Sequence, residues 1–93
     1  MKTHGSVPTI TEVSGSTTSA SLMSANERRV AGYILNASGE TLHIAFGTAA
    51  ASSSNRTETL ADGEIFEVPV WYKGAITGIL AANTGNIYVT EVQ

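Results

Sequence analysis

The groups in this chain that could do chemistry are its histidines, carboxylates and hydroxyls, and their spacing argues against catalysis. The two histidines, His4 and His43, are isolated from each other, and neither has a carboxylate at ligand spacing. A zinc or catalytic centre needs three or four converging ligands. The eight carboxylates are scattered singly, and Glu64 and Glu67 fall on opposite faces of an extended segment, so they make no acid–base pair. Serine is abundant, but no Gly-x-Ser-x-Gly elbow, dinucleotide fingerprint or P-loop occurs. Asn36-Ala37-Ser38 and Asn55-Arg56-Thr57 match the short glycosylation pattern. Both are read as turn chemistry, because Met1–Ser6 lacks the apolar run of a signal peptide. No catalytic, metal-ligating or cofactor-binding residue is assigned, and an enzyme is not expected.

Trp71 and Tyr72, followed by Lys73, are the remaining candidates. Aromatic faces stack on sugar rings and on cations, so the pair offers a carbohydrate platform. A tryptophan beside a tyrosine serves more often as an anchor in a core or a subunit contact. The anchor is the preferred reading.

The elements that position these residues follow from composition and alternation. Ninety-three residues make one domain, and the chain has no cysteine for a disulfide or a thiolate site. Only 14% of residues are charged, with net charge −3 and five basic side chains. That is a poor footprint for nucleic acid. No apolar run approaches the ~20 residues of a membrane span.

Met1 to Asn26 is Ser/Thr-rich, with Val7, Ile10, Val13, Leu22 and Met23 as its sizeable apolar residues. It reads as an extended arm, ordered only through contact with a neighbour. Thr9–Val13 is strand-like and suited to strand addition on another subunit. From residue 27 to residue 93 the texture is that of a β domain. Arg29–Asn36 and Thr41–Phe46 read as a hairpin about Ala37-Ser38-Gly39, with Leu42, Ile44 and Phe46 inward and Tyr33 and Leu35 on the face away from Ile34. Thr48–Asn55 is expected to be a surface loop, too small and too polar to pack.

Arg56–Leu60 is a short strand. Glu64–Tyr72 is the aromatic-rich centre, lying between two segments that are potential pairing partners, Glu40–Phe46 and Ala75–Ala81. Pro69 puts its end at an edge or a bulge. Gly78 marks a bulge or a close approach, and Ile87–Val92 is the last strand. Six strands and no period-3.6 stripe predict an all-β fold, a small six-stranded antiparallel sandwich or barrel.

Asn26-Glu27-Arg28-Arg29, Asn36-Ala-Ser-Gly-Glu-Thr-Leu42, Leu42-His-Ile-Ala-Phe46-Gly47, Leu60-Ala-Asp-Gly63 and Tyr72-Lys-Gly-Ala-Ile-Thr-Gly-Ile79 together resemble a group of small virion structural proteins of tailed bacteriophages. The resemblance covers roughly Asn26 to Glu91 and includes no catalytic motif. It implies a capsid decoration or cement protein on the virion surface, synthesised in the bacterial cytoplasm. Such a protein would bridge major capsid subunits as a homotrimer, without cofactor, nucleic acid or membrane. A neck, tail or fibre-associated protein and a carbohydrate-binding host-recognition module are the alternatives. The expected contact residues are Val7, Ile10, Val13, Leu22, Tyr33, Leu35, Trp71 and Tyr72.

Overall fold

Alternating apolar side chains bury one face of a strand, so strands of this kind assemble as two sheets closed on each other. The computed structural model describes residues 7–93 and has that form, with no helix. The strands are β1 (Pro8–Gly15), β2 (Ala20–Met23), β3 (Ala31–Ala37), β4 (Leu42–Phe46), β5 (Glu58–Leu60), β6 (Ile65–Val68), β7 (Ile76–Leu80) and β8 (Gly85–Val92). They form two four-stranded antiparallel sheets, sheet A in the order β1-β8-β3-β6 and sheet B in the order β2-β7-β4-β5. The sheets do not close into a barrel.

Eight strands replace the six expected, and both additions come from the segment expected to be an arm. β1 pairs along its length with β8, from Pro8 opposite Val92 to Gly15 opposite Gly85. Thr9–Val13 does form a strand, but it pairs with the chain's own C-terminal strand. β2 pairs with β7 and sends Leu22 and Met23 into the core. Leu22 needs the missing side chain of Gly78, where a Cβ would stand 2.6 Å from its Cδ1. The glycine is the close approach that its place in a strand suggested.

The expected hairpin is an arch. β3 lies in sheet A between β8 and β6, and β4 lies in sheet B between β7 and β5. Of the seven connections, only β4–β5 stays within a sheet; the other six cross the core. The inward set of β4 holds, with Leu42 and Ile44 fully buried and Phe46 packed on the core. The aromatic-rich centre is shorter than expected. β6 ends at Val68, pairs only with β3, and forms the edge of sheet A. Pro69 follows immediately, as its lack of a donor requires.

Two buried polar side chains fasten the two ends of the sandwich. Arg29, 1% exposed, donates from Nε to Glu91 Oε2 at 2.8 Å. Its remaining nitrogens reach the carbonyls of Ser24, Tyr72 and Gly74. One guanidinium fork thus joins the β2–β3 and β6–β7 connections to β8. Lys73 Nζ donates to the Arg29 carbonyl.

In the β3–β4 arch, fully buried Asn36 donates from Nδ2 to the carbonyls of Glu40 (2.7 Å) and Leu60 (3.0 Å). Its Oδ1 accepts from the Ser38 amide and lies 2.6 Å from Ser38 Oγ. The arch packs so closely that a Cβ on Gly85 would collide with the Ser38 backbone.

The loop between β4 and β5 is not a free surface loop. Ala51 is 2% exposed, and its amide donates to Ser19 Oγ at 3.0 Å. Thr77 Oγ1 donates to the Ala49 carbonyl at 2.9 Å. Alanine is small enough to lie flat on a sheet, and here the loop covers Ala45 and Thr77 on the outer face of sheet B.

Candidate interaction surface

The outer face of sheet A has no such cover among the described residues. Its rows follow from the register. Ile10 stands opposite Thr90, Thr90 opposite Tyr33, and Tyr33 opposite Glu67. The next row is Glu12, Tyr88, Leu35 and Ile65. Because side chains alternate, these residues all project away from the core. Ile10 is 69% exposed, Ile65 63% and Tyr33 38%, and Leu35 and Tyr88 are half-buried among them. Exposed large apolar side chains thus share this face with Glu12, Glu67 and Thr90, and it is the candidate contact surface.

Glu12 and Tyr88 are the polar pair within it. Tyr88 Oη donates to Glu12 Oε2 at 3.0 Å, and this hydrogen bond, with the carboxylate's charge, raises the phenol above its ordinary pKa.

The predicted contact residues divide. Ile10, Tyr33 and Leu35 meet on this one face. Val7 is exposed just before β1, exchanging backbone hydrogen bonds with Gln93. Val13 turns inward against the core, and Leu22 is part of the core. Tyr72 is half-buried, stacked on Phe46 with ring centroids 4.1 Å apart and its hydroxyl donating to the Ala75 carbonyl at 2.6 Å.

Trp71 is 72% exposed in the turn after β6. A place in the core is therefore overturned: the strand ends before it, and the Tyr72 ring lies edge-on to it, centroids 6.0 Å apart. Sequence reading missed Ile65 and Tyr88, which come beside Leu35 only through the pairing of β3 with β6 and β8. It also missed Arg29 and Asn36, which have no periodicity to betray their burial.

Elsewhere, an open cleft of about 400 Å³ runs between the β5 and β6 edges, lined by Glu58, Glu64, Glu67, Leu60, Ile65 and Phe66. Among the described residues no three His, Cys, Asp or Glu side chains converge as metal ligands, and no helix is long and apolar enough to cross a membrane. His43 lies half-buried on the outer side of sheet B, its Nδ1 3.1 Å from Thr59 Oγ1. His4 is outside the described residues. No protein-family model matches the chain, and neither curated proteins nor solved structures yield a match.

Proposed function

We propose that this chain is a structural component of a tailed-phage virion, a capsid decoration or cement protein that bridges major capsid subunits. The observation that carries this reading is the asymmetry of the sandwich. The outer face of sheet B is covered over Ala45 and Thr77 by the chain's own loop, whereas that of sheet A leaves Ile10, Tyr33 and Ile65 exposed. A cement protein works by buried area and strand contacts and has no turnover. A rigid double sheet with one apolar footing suits that task. The resemblance of Asn26 to Glu91 to small virion proteins points the same way, and it fits a neck or tail position as well. Binding of the purified chain to shells lacking it tests the reading. The wild type should co-sediment with shells and Ile65→Asp should not; equal binding by both would overturn it.

One observation favours the carbohydrate-binding alternative, the exposure of Trp71. A sugar platform also needs polar groups to read hydroxyls, and the two neighbours the sequence offers are engaged within the chain. The Tyr72 hydroxyl is held by Ala75 and the Lys73 ammonium by the Arg29 carbonyl. A contact with another virion protein uses Trp71 without needing them.

A further inference from the structure

We propose that the free edge of β1 pairs with β1 of a second copy of this chain, antiparallel, about a twofold axis passing beside Thr11. Sheet A ends in β1 and β6, and sheet B in β2 and β5. Three of these edges are protected. β5 has three residues, β2 has four with a register shift between Ser21 and Met23, and β6 has four and runs into Pro69. β1 has eight residues in unbroken register, with no strand on its other side among the described residues. A long, regular edge is a template for another strand.

The hydrogen-bond phase of that edge follows from one pair. Val7 and Gln93 exchange both backbone hydrogen bonds, at 2.7 and 3.2 Å. In an antiparallel ladder such pairs alternate with pairs that face away. Val7, Thr9, Thr11 and Val13 therefore bond to β8. Ile10, Glu12 and Ser14 turn their N–H and C=O groups to the free edge, together with the carbonyl of Pro8.

These groups are complementary to themselves. With Ile10 opposite Glu12 of the second copy, each of those pairs exchanges two hydrogen bonds. Each Ser14 amide meets a Pro8 carbonyl, so the proline's missing donor falls at the end of the ladder. Shifting the register so that Glu12 faces Glu12 would oppose two carboxylates, and like charges directly opposite are unfavourable. With Ile10 opposite Ile10 each Ser14 falls outside the span of the other copy's β1, and the ladder within the two strands is shorter.

The favoured register also matches exposed to covered halves. Val7, Thr9 and Thr11 are exposed, whereas Val13 is half-buried and Gly15 buried. Thr9 comes opposite Val13 and Val7 opposite Gly15, so each uncovered half lies beside the covered half of the other copy. The result is one continuous eight-stranded sheet with both apolar outer faces on the same side. The symmetry is twofold, where the sequence reading expects a trimer, and the pairing does not depend on the virion reading.

Cysteine cross-linking tests it, because the chain has no cysteine of its own. Thr11 faces Thr11 in a pair without mutual hydrogen bonds, with Cα atoms about 4.5 Å apart, within disulfide range. Purified Thr11→Cys should form covalent dimers under mild oxidation at micromolar concentration. Thr9→Cys alone and Val13→Cys alone should not, since each lies about 13 Å from its own copy, but a mixture of the two should. Thr11→Lys should sediment as a monomer with an unchanged β-sheet circular dichroism spectrum, and the wild type as a dimer. A monomeric wild type, an uncross-linked Thr11→Cys, or equal cross-linking of Thr9→Cys and Thr11→Cys would overturn the proposal.

Discussion

Ile10 of β1 and Tyr33 of β3 flank the same residue, Thr90 of β8, and so lie on one face of sheet A although they are 23 positions apart in the sequence. Pairing of the N-terminal segment with the C-terminal strand creates this face. The segment is thus part of the domain's own surface. Removing residues 1–26 would delete two strands and two core side chains, Leu22 and Met23. The truncated chain is expected to lose its cooperative unfolding transition, as followed by circular dichroism.

Ile65 tests the face without touching the core. Ile65→Asp should change stability by no more than about 1 kcal/mol, the span of strand propensity at an exposed site, measured by urea denaturation. It should still abolish binding to the shell.

Arg29 tests the closed end of the sandwich. Arg29→Ala leaves Glu91 and the carbonyls of Ser24, Tyr72 and Gly74 without their donor. Breaking a buried ion pair by removing one partner costs about 3–5 kcal/mol. A loss of that size in urea denaturation is expected. Arg29→Lys should recover only part of it, since a single ammonium does not reproduce the fork.

Asn36 tests the arch. Asn36→Ala takes the side-chain donor from the buried Leu60 carbonyl, removes one of the two donors to the Glu40 carbonyl, and takes the acceptor from the Ser38 amide. A cost of about 2–4 kcal/mol is expected. Asn36→Asp, similar in shape but without the Nδ2 donors, should also destabilise.

Segments and inward faces were legible in the sequence because alternation encodes them, as in Leu42/Ile44 and Ile87/Val89. The partners of those segments were not. A turn such as Ala37-Ser38-Gly39 has the same chemistry whether it joins strands in one sheet or arches between two. What decides is the Asn36 side chain, which reaches the Glu40 and Leu60 carbonyls across the arch. Thr9–Val13 was recognisable as a strand but not as the edge of its own sheet, because its side chains stay largely exposed even when paired. Arg29 reads as a surface charge, and only the three carbonyls and the carboxylate converging on it reveal otherwise. Of the exposed face of sheet A, Tyr33 and Leu35 were legible together; Ile10 joins them only through the β1–β8 register.

Tyr88 carries a pH dependence. Its phenol is raised above the ordinary 10.0 by the hydrogen bond to Glu12 and by the carboxylate's charge. A group raised in the folded state contributes stability that is fully present below its unfolded pKa and lost as pH rises through the folded one. The contribution is therefore intact below about pH 10 and fades above it. In Glu12→Gln the Tyr88 ring resonances should titrate at lower pH than in the wild type.

Trp71 separates two kinds of contact. Because its side chain is exposed, Trp71→Ala should leave folding within about 0.5 kcal/mol of wild type, read from urea denaturation. It should weaken assembly and leave host attachment unaffected. A particle that is stable but fails to adsorb to cells would favour the carbohydrate reading.

The position of this chain in an electron-microscopy map of the assembled particle tests the central claim most directly. The expected density is a double sheet on the shell where major capsid subunits meet, with the outer face of sheet A, around Tyr33 and Ile65, against a neighbour. A chain absent from the particle, or present with that face open to solvent, would contradict the account.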